Sequence, residues 1–390
     1  MDQLRIDPTL LFASAAGSAS GLARADLVAL AGRLAAAVRA PVGAEDAALL
    51  DPVLDFVASA QGRFRAVVVL AGPEEAAQVR AIHTALVSPH AALAPSTLPL
   101  LLVLDSADPD VVGEFLDAFD ASECLFVVAA RDGDAVGPLA PFRIVREEMR
   151  TKLGDEGHKD HVVFACEPAG GELREIARAE GYVTFGSAGG AVGPAAAKDR
   201  LCGEQGRIGP AALLPCALVG VDVKGLVAGA AAMEEACTVA AWESNPALLL
   251  ASVRELFARR KRRCVTCACA RRLRDLAALG DPHSGGGTCR PGDLGPARAD
   301  WNDAWVSLLA VDEADHKLTV PPAGAPSKLA HVSLNDLFAA EREHLRQHLV
   351  ASGTPNLTIH FPSVNAHAVG QFLALERTAE ALRSTLAAPG

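Results

Sequence analysis

Five short apolar runs, separated by segments of helical periodicity, constrain this chain more than any other feature of it. They are Ala66 to Ala71, Leu98 to Leu104, Cys124 to Ala130, His161 to Cys166 and Tyr182 to Phe185. A strand that is apolar throughout needs cover on both faces, and strands that alternate with helices run parallel, because each helix carries the chain back across the sheet. Residues 61–185 are therefore expected to form an α/β lobe. The same pattern resumes after a Gly-rich stretch, 186–209, which reads as a connection. A long apolar helical region from Pro210 to Met233 and a helix from Glu243 to Arg260 lead into strands at Cys264 to Cys269, Trp305 to Val311 and Leu357 to Phe361. Helices at Leu334 to Val350 and Val364 to Leu386 complete a second lobe over 210–390. Residues 1–60 read as an Ala-rich helical lead-in, with Leu22, Leu27, Leu30 and Leu34 at helical spacing. The expected fold class is α/β: two successive α/β/α sandwiches with mainly parallel sheets, and a ligand cleft where the carboxyl ends of strands converge.

Composition narrows the function classes. At 390 residues and 50% hydrophobic content the chain buries large cores, so it is not a disordered scaffold. A net charge of -11 argues against nucleic acid and anionic membranes as partners, since phosphate backbones are bound by clustered Lys and Arg. The one basic run, Arg259 to Arg263, is expected to be a solvated helix C-terminus, where cations complement the helix dipole. The first residues have no basic n-region ahead of an apolar stretch, and no apolar segment reaches about 18 residues, so a cytoplasmic protein without a membrane span is expected. Nine scattered cysteines suit reduced thiols better than a disulfide framework.

Four stretches carry a resemblance. The first is Gly206-Arg207-Ile208-Gly209-Pro210, running through Leu213-Leu214-Pro215 to Gly220-Val221-Asp222-Val223; the second is Asn245-Pro246-Ala247-Leu248; the third is Gly353-Thr354-Pro355-Asn356-Leu357. A fourth covers Pro138 to Arg146 and Glu172 to Phe185. Together they resemble the bacterial-type phosphoglucose (glucose-6-phosphate) isomerases, which are built from two sugar-isomerase (SIS) domains. The resemblance implies the double SIS fold, a sugar ligand, no cofactor or metal, and a homodimer in which the partner subunit completes the cleft.

Aldose-ketose isomerisation passes through an enediolate, so it needs a carboxylate base, a donor for the developing oxyanion and an acid/base for ring opening. The resemblance places the base at Asp281, one methylene shorter than the family's Glu, and the oxyanion partner at Arg207. It places Asn302 at the ring-opening histidine, and Asn does not exchange a proton near neutral pH. The family's late lysine has no counterpart before Gly390. Its two phosphate loops fall on Pro73-Glu74-Glu75 and on Asp132-Gly133-Asp134, where carboxylates stand in place of donors. Like charges about 4 Å apart repel by about 4 kcal/mol at a protein-like dielectric, so such loops disfavour a dianion. The same acids also suit helix N-caps and first turns.

Other constellations are weaker. Cys264, Cys267 and Cys269, with His283 and Cys289, have poor zinc spacing, because alternation along a strand sends Cys264 to the opposite face from the other two. His344 and His348 lie four apart on a helix without an HExxH pattern. Gly186 to Gly193 lacks GxGxxG, and His158 and His161 read as a solvated turn. Three functions remain on one fold: a non-catalytic or interaction protein, an active isomerase using Asp281 and Arg207, and an acidic cleft turned to a non-phosphorylated ligand.

Overall fold

The computed structural model describes residues 3–17, 20–38, 44–93, 97–165, 170–185, 208–279, 303–322 and 329–386. In chain order the elements begin with β1 (Arg5–Asp7), α1 (Ala13–Ala16), α2 (Arg24–Leu34) and α3 (Ala44–Ala60). An alternating run follows: β2 (Ala66–Ala71), α4 (Pro73–Leu86), β3 (Leu100–Leu104), α5 (Pro109–Ala118), β4 (Cys124–Ala129), α6 (Val136–Gly157), β5 (Val162–Phe164), α7 (Gly171–Glu180) and β6 (Val183–Thr184). The helices α8 (Pro210–Leu218), α9 (Val223–Ala236) and α10 (Pro246–Arg259) come next. A second alternation closes the chain, with β7 (Arg263–Ala268), α11 (Arg274–Leu279), β8 (Ala304–Val311), α12 (Leu334–Ala351), β9 (Asn356–Phe361) and α13 (Ala366–Ser384).

Local chemistry sets these boundaries. Helices α4, α5, α8 and α10 each start on a proline, whose missing N–H costs nothing in the first turn and whose fixed φ suits it. Asp108, Asn245, Ser333 and Asn365 cap α5, α10, α12 and α13 through side-chain oxygens that accept backbone N–H bonds. The helical region expected from Pro210 to Met233 consists of two helices, because the chain turns at Gly220, which takes φ 84° between α8 and α9.

The chain packs as two compact units, Gly43–Val227 and Met1–Val42 with Ala228–Gly390. Residues 1–60, expected as one helical lead-in, are thus divided: α3 belongs to the first unit, while β1, α1 and α2 belong to the second. The reason lies in β1, which pairs antiparallel with β9, Ile6 opposite Ile359, and so ties the start of the chain to its end.

In the Gly43–Val227 unit, five parallel strands stand in the order β3-β2-β4-β5-β6. Alternation along the strands sends Val68, Leu70, Phe126, Val128 and Phe164 to one face, where they meet Phe115 of α5, Phe142, Val145 and Met149 of α6, and Leu173 and Ala177 of α7. Aromatic edges lock this layer, with Phe126 T-shaped on Phe115 at 6.0 Å and Phe164 on Phe142 at 5.7 Å. Helices α4 and α8 cover the opposite face, which explains why all six residues of β2 are buried.

In the other unit the sheet order is β1-β9-β8-β7, with only β1 antiparallel. Cys267, Cys269, Val306 and Leu308 pack beneath Leu345 and Leu349 of α12. Phe257 of α10 stacks on Trp305 of β8 at 5.1 Å. Among α9, α10 and α13, largely buried charges pair as Arg254 with Glu376 at 2.7 Å and Glu234 with Arg377. No helix among the described residues is long and apolar enough to cross a membrane.

One local expectation is corrected. His158 is fully buried rather than solvated: α6 kinks at Gly154, whose carbonyl lies 3.1 Å from His158 Nδ1, and the imidazole meets the edge of Tyr182 at 5.7 Å. The basic run ends α10 as expected, with Arg259, Arg260, Lys261 and Arg263 exposed, and two of its arginines also hold other segments, Arg260 donating to the Gly21 carbonyl at 2.7 Å and Arg262 to the Ala304 carbonyl at 3.3 Å.

Candidate functional site

In an open parallel sheet, ligands lie beyond the carboxyl ends of strands where the connections part in opposite directions. In the Gly43–Val227 unit this point falls between β2 and β4. Those strands pair from Ala66 with Cys124 to Ala71 with Ala129, and from there α4 leads to β3 on one side while α6 leads to β5 on the other. The two chains stay together for one more step, Gly72 N–H donating to the Ala129 carbonyl at 3.3 Å.

The loop after β2 is a single residue, Gly72, so Glu74 and Glu75 fall in the first turn of α4. Glu75 folds back along that turn: a Cβ built on Gly72 would meet its Oε2 at 2.6 Å. The Glu75 side chain is 10% exposed, against 74% for Glu74. Burial pushes the Glu75 carboxyl above its ordinary value, opposed by a hydrogen bond from its own backbone N–H. Arg131, the second residue after β4, reaches both acids. Its Nε lies 2.8 Å from Glu75 Oε1, and its terminal nitrogen pairs with Glu74.

Asp132, Gly133 and Asp134 make a turn rather than an open loop. Asp132 Oδ1 accepts the Asp134 N–H at 3.0 Å, and Asp134 Oδ1 accepts the Glu172 N–H at the start of α7 at 2.9 Å. The Gly133 carbonyl accepts the Leu173 N–H at 3.0 Å. Only glycine fits at 133, because a Cβ there would lie 1.9 Å from the Gly170 carbonyl oxygen. On the neighbouring edge, Asp105 beyond β3 pairs with Arg80 of α4 at 2.6 Å, and that guanidinium holds its carboxyl below the usual range.

The structure therefore brings Glu74 and Glu75 together with Arg131, and sets Asp132, Gly133 and Asp134 against α7. Arg207, Asp281 and Asn302 lie outside the described residues, as do His283, Cys289 and the glycines from 186 to 193. Arg131 was not among the residues expected from sequence. Its signal was its place: it is the first charged residue beyond an apolar parallel strand, where a ligand-facing side chain would sit. In the other unit, Cys267 and Cys269 are buried in the apolar layer beneath α12, while Cys264 is half-buried on the other face. The rings of His344 and His348 stack at 6.4 Å. Among the described residues, no three His, Cys, Asp or Glu side chains are grouped to hold a metal ion.

No family model matches the chain. It is 27% identical to a glucose-6-phosphate isomerase of Carboxydothermus hydrogenoformans over 70% of this chain and 63% of that protein. It is 28% identical to the glucose-6-phosphate isomerase of Rubrobacter xylanophilus over 75% of this chain and 70% of that protein. The chain thus spans about two thirds of the length of these curated relatives. Among solved structures, a hypothetical protein from Thermus thermophilus superposes with a TM-score of 0.76 at 22% identity, covering 98% of this chain and 94% of that one. A glucose-6-phosphate isomerase from Chlamydia trachomatis superposes with a TM-score of 0.65 at 14% identity, over 91% and 73% of the two chains.

Proposed function

The chain is a divergent relative of the glucose-6-phosphate isomerases, and from that premise we propose that it keeps their fold without their isomerase activity. One observation carries the proposal: beyond β2 and β4 the protein's own carboxylates hold the Arg131 guanidinium and backbone N–H groups, donors of the kind a phosphate would need. Glu75 lies over the first turn of α4, Asp132 accepts the Asp134 N–H, and Asp134 accepts the Glu172 N–H. Two carboxylates, Glu74 and Glu75, pair with the guanidinium of Arg131 here, and Asp132 and Asp134 stand in the turn that follows it. Each acid about 4 Å from a bound phosphate would oppose it by about 4 kcal/mol per pair of charges at a protein-like dielectric.

The acid/base positions support the same reading. Asn302, at the family's histidine position, has no proton to exchange in the working range. Asp281 is shorter than the family's Glu, and Arg207 alone keeps the residue type the family uses. The protein is then a non-catalytic or interaction partner, and a homodimer on the model of its relatives. Light scattering coupled to gel filtration reads the homodimer directly: a mass of twice the chain is expected, and a monomer contradicts it.

A coupled assay of fructose 6-phosphate conversion tests the central proposal. No turnover above the enzyme-free rate is expected. Turnover that Arg207→Ala or Asp281→Asn abolishes would establish an active isomerase instead. A second reading, an acidic crevice for a non-phosphorylated ligand, draws on the same four carboxylates. Thermal-shift screening separates it, since stabilisation by phosphorylated sugars alone excludes it.

A further inference from the structure

Among the described residues of the loops beyond β2 and β4, Arg131 is the one cation, and its contacts come from two directions. Glu75 approaches Nε from beneath, as a nearly buried side chain, and Glu74 approaches the outer edge of the guanidinium from the surface. Arg131 itself keeps 38% of its side chain exposed, so it lies at the crevice mouth and not in the core. A guanidinium presents planar N–H groups that suit two oxygens of one oxyanion, and here the protein's own carboxyl oxygens use them.

The two acids are held in place for different reasons. Glu75 folds along the first turn of α4, with its carboxylate lying over Gly72, where an added Cβ would meet Oε2 at 2.6 Å. Glu74 has only Arg131. Burial disfavours the Glu75 charge, which makes its pairing with Arg131 the compensation for bringing that charge inside. A carboxylate placed in this way competes with any external anion at no loss of translational freedom.

We propose that Glu74 and Glu75 form an autoinhibitory counter-anion that keeps Arg131 closed to oxyanions, and that neutralising the two carboxyls converts the crevice into a site for phosphate or a phosphate monoester. This depends on the reading above that the loops are occupied by the protein's own acids. It goes further by naming the residue that would bind once they are released.

Inorganic phosphate is the probe, titrated calorimetrically into wild type, Glu74→Gln/Glu75→Gln and the same double variant carrying Arg131→Met. Both glutamine changes keep shape and remove charge. The double variant is expected to bind phosphate about tenfold or more tightly than wild type, since two repelling charges have been removed, and Arg131→Met is expected to abolish the gain. Glu74→Gln alone, at an exposed position that does not threaten folding, is expected to give a smaller gain in the same direction. Equal affinity in wild type and double variant overturns the proposal, as does a gain that survives Arg131→Met. Fructose 6-phosphate turnover is read on the same wild-type sample. Turnover there would refute the non-catalytic reading while leaving the comparison between variants to decide the Arg131 contact by itself.

Discussion

Gly133→Ala probes the turn that presents Asp132 and Asp134. A Cβ at 133 would lie 1.9 Å from the Gly170 carbonyl oxygen and 3.0 Å from its carbon, and both are backbone atoms that no side-chain rotation can move aside. Relief therefore requires the turn to lift from the start of α7. That movement breaks the 2.9 Å bond from Glu172 N–H to Asp134 and the 3.0 Å bond from Leu173 N–H to the Gly133 carbonyl. Overpacking of this kind costs about 1–3 kcal/mol and each of the two lost bonds about 1 kcal/mol, so a loss of roughly 3–5 kcal/mol is expected. At about 2–4 °C per kcal/mol for a unit of this size, the melting temperature falls by roughly 6–20 °C. Urea denaturation measures the loss, and hydrogen exchange should show faster exchange at Glu172 and Leu173. Gly113→Ala is the control, because a Cβ there meets nothing within 4 Å and α5 gains a better helix former. If Gly133→Ala is as stable as wild type, the turn does not rest on α7 as described.

Three further outcomes follow from the same structure. Because burial raises the Glu75 carboxyl, the folded state holds that proton more tightly than the unfolded chain, so the Glu75 contribution is greatest at acid pH and is lost as pH rises through its folded range, above the ordinary 4.5. The urea midpoint of Glu75→Gln should gain on wild type from acid to neutral pH, and the opposite trend would show that the Arg131 pair outweighs burial. Arg254→Ala removes a guanidinium from the largely buried Glu376 and should cost about 3–5 kcal/mol by denaturation, against little or no loss for a well-packed apolar replacement of both residues. Burial pushes the thiols of Cys124 and Cys216 up to about 12 and those of Cys237 and Cys269 up to about 11, so thiol reagents at mildly alkaline pH should modify Cys264 before any of these four, as read by peptide mass mapping.

The alternating architecture was legible because its signals are local. Runs such as Ala66–Ala71 and Cys124–Ala129 are apolar on both faces, and prolines or capping side chains mark the helix starts beside them. What escaped notice depends on distant partners. β1 is three residues long and gains its identity from β9, at the far end of the chain. His158 sits in a stretch rich in charge, yet the kink at Gly154 turns it inward against Tyr182. The acids Glu74, Glu75, Asp132 and Asp134 were legible as residue types in loops that should bind phosphate. Arg131 was not, since its role comes from two carboxylates on a helix that a separate strand delivers to it.

Proton exchange at the substrate carbon tests the loss of isomerase chemistry most directly, because it registers the enediolate step even when net conversion is too slow to follow. Fructose 6-phosphate incubated with the protein in deuterated buffer and followed by proton NMR should keep its C1 protons at the enzyme-free rate. Deuterium entering C1 faster than that, and ceasing with Asp281→Asn, would contradict the account.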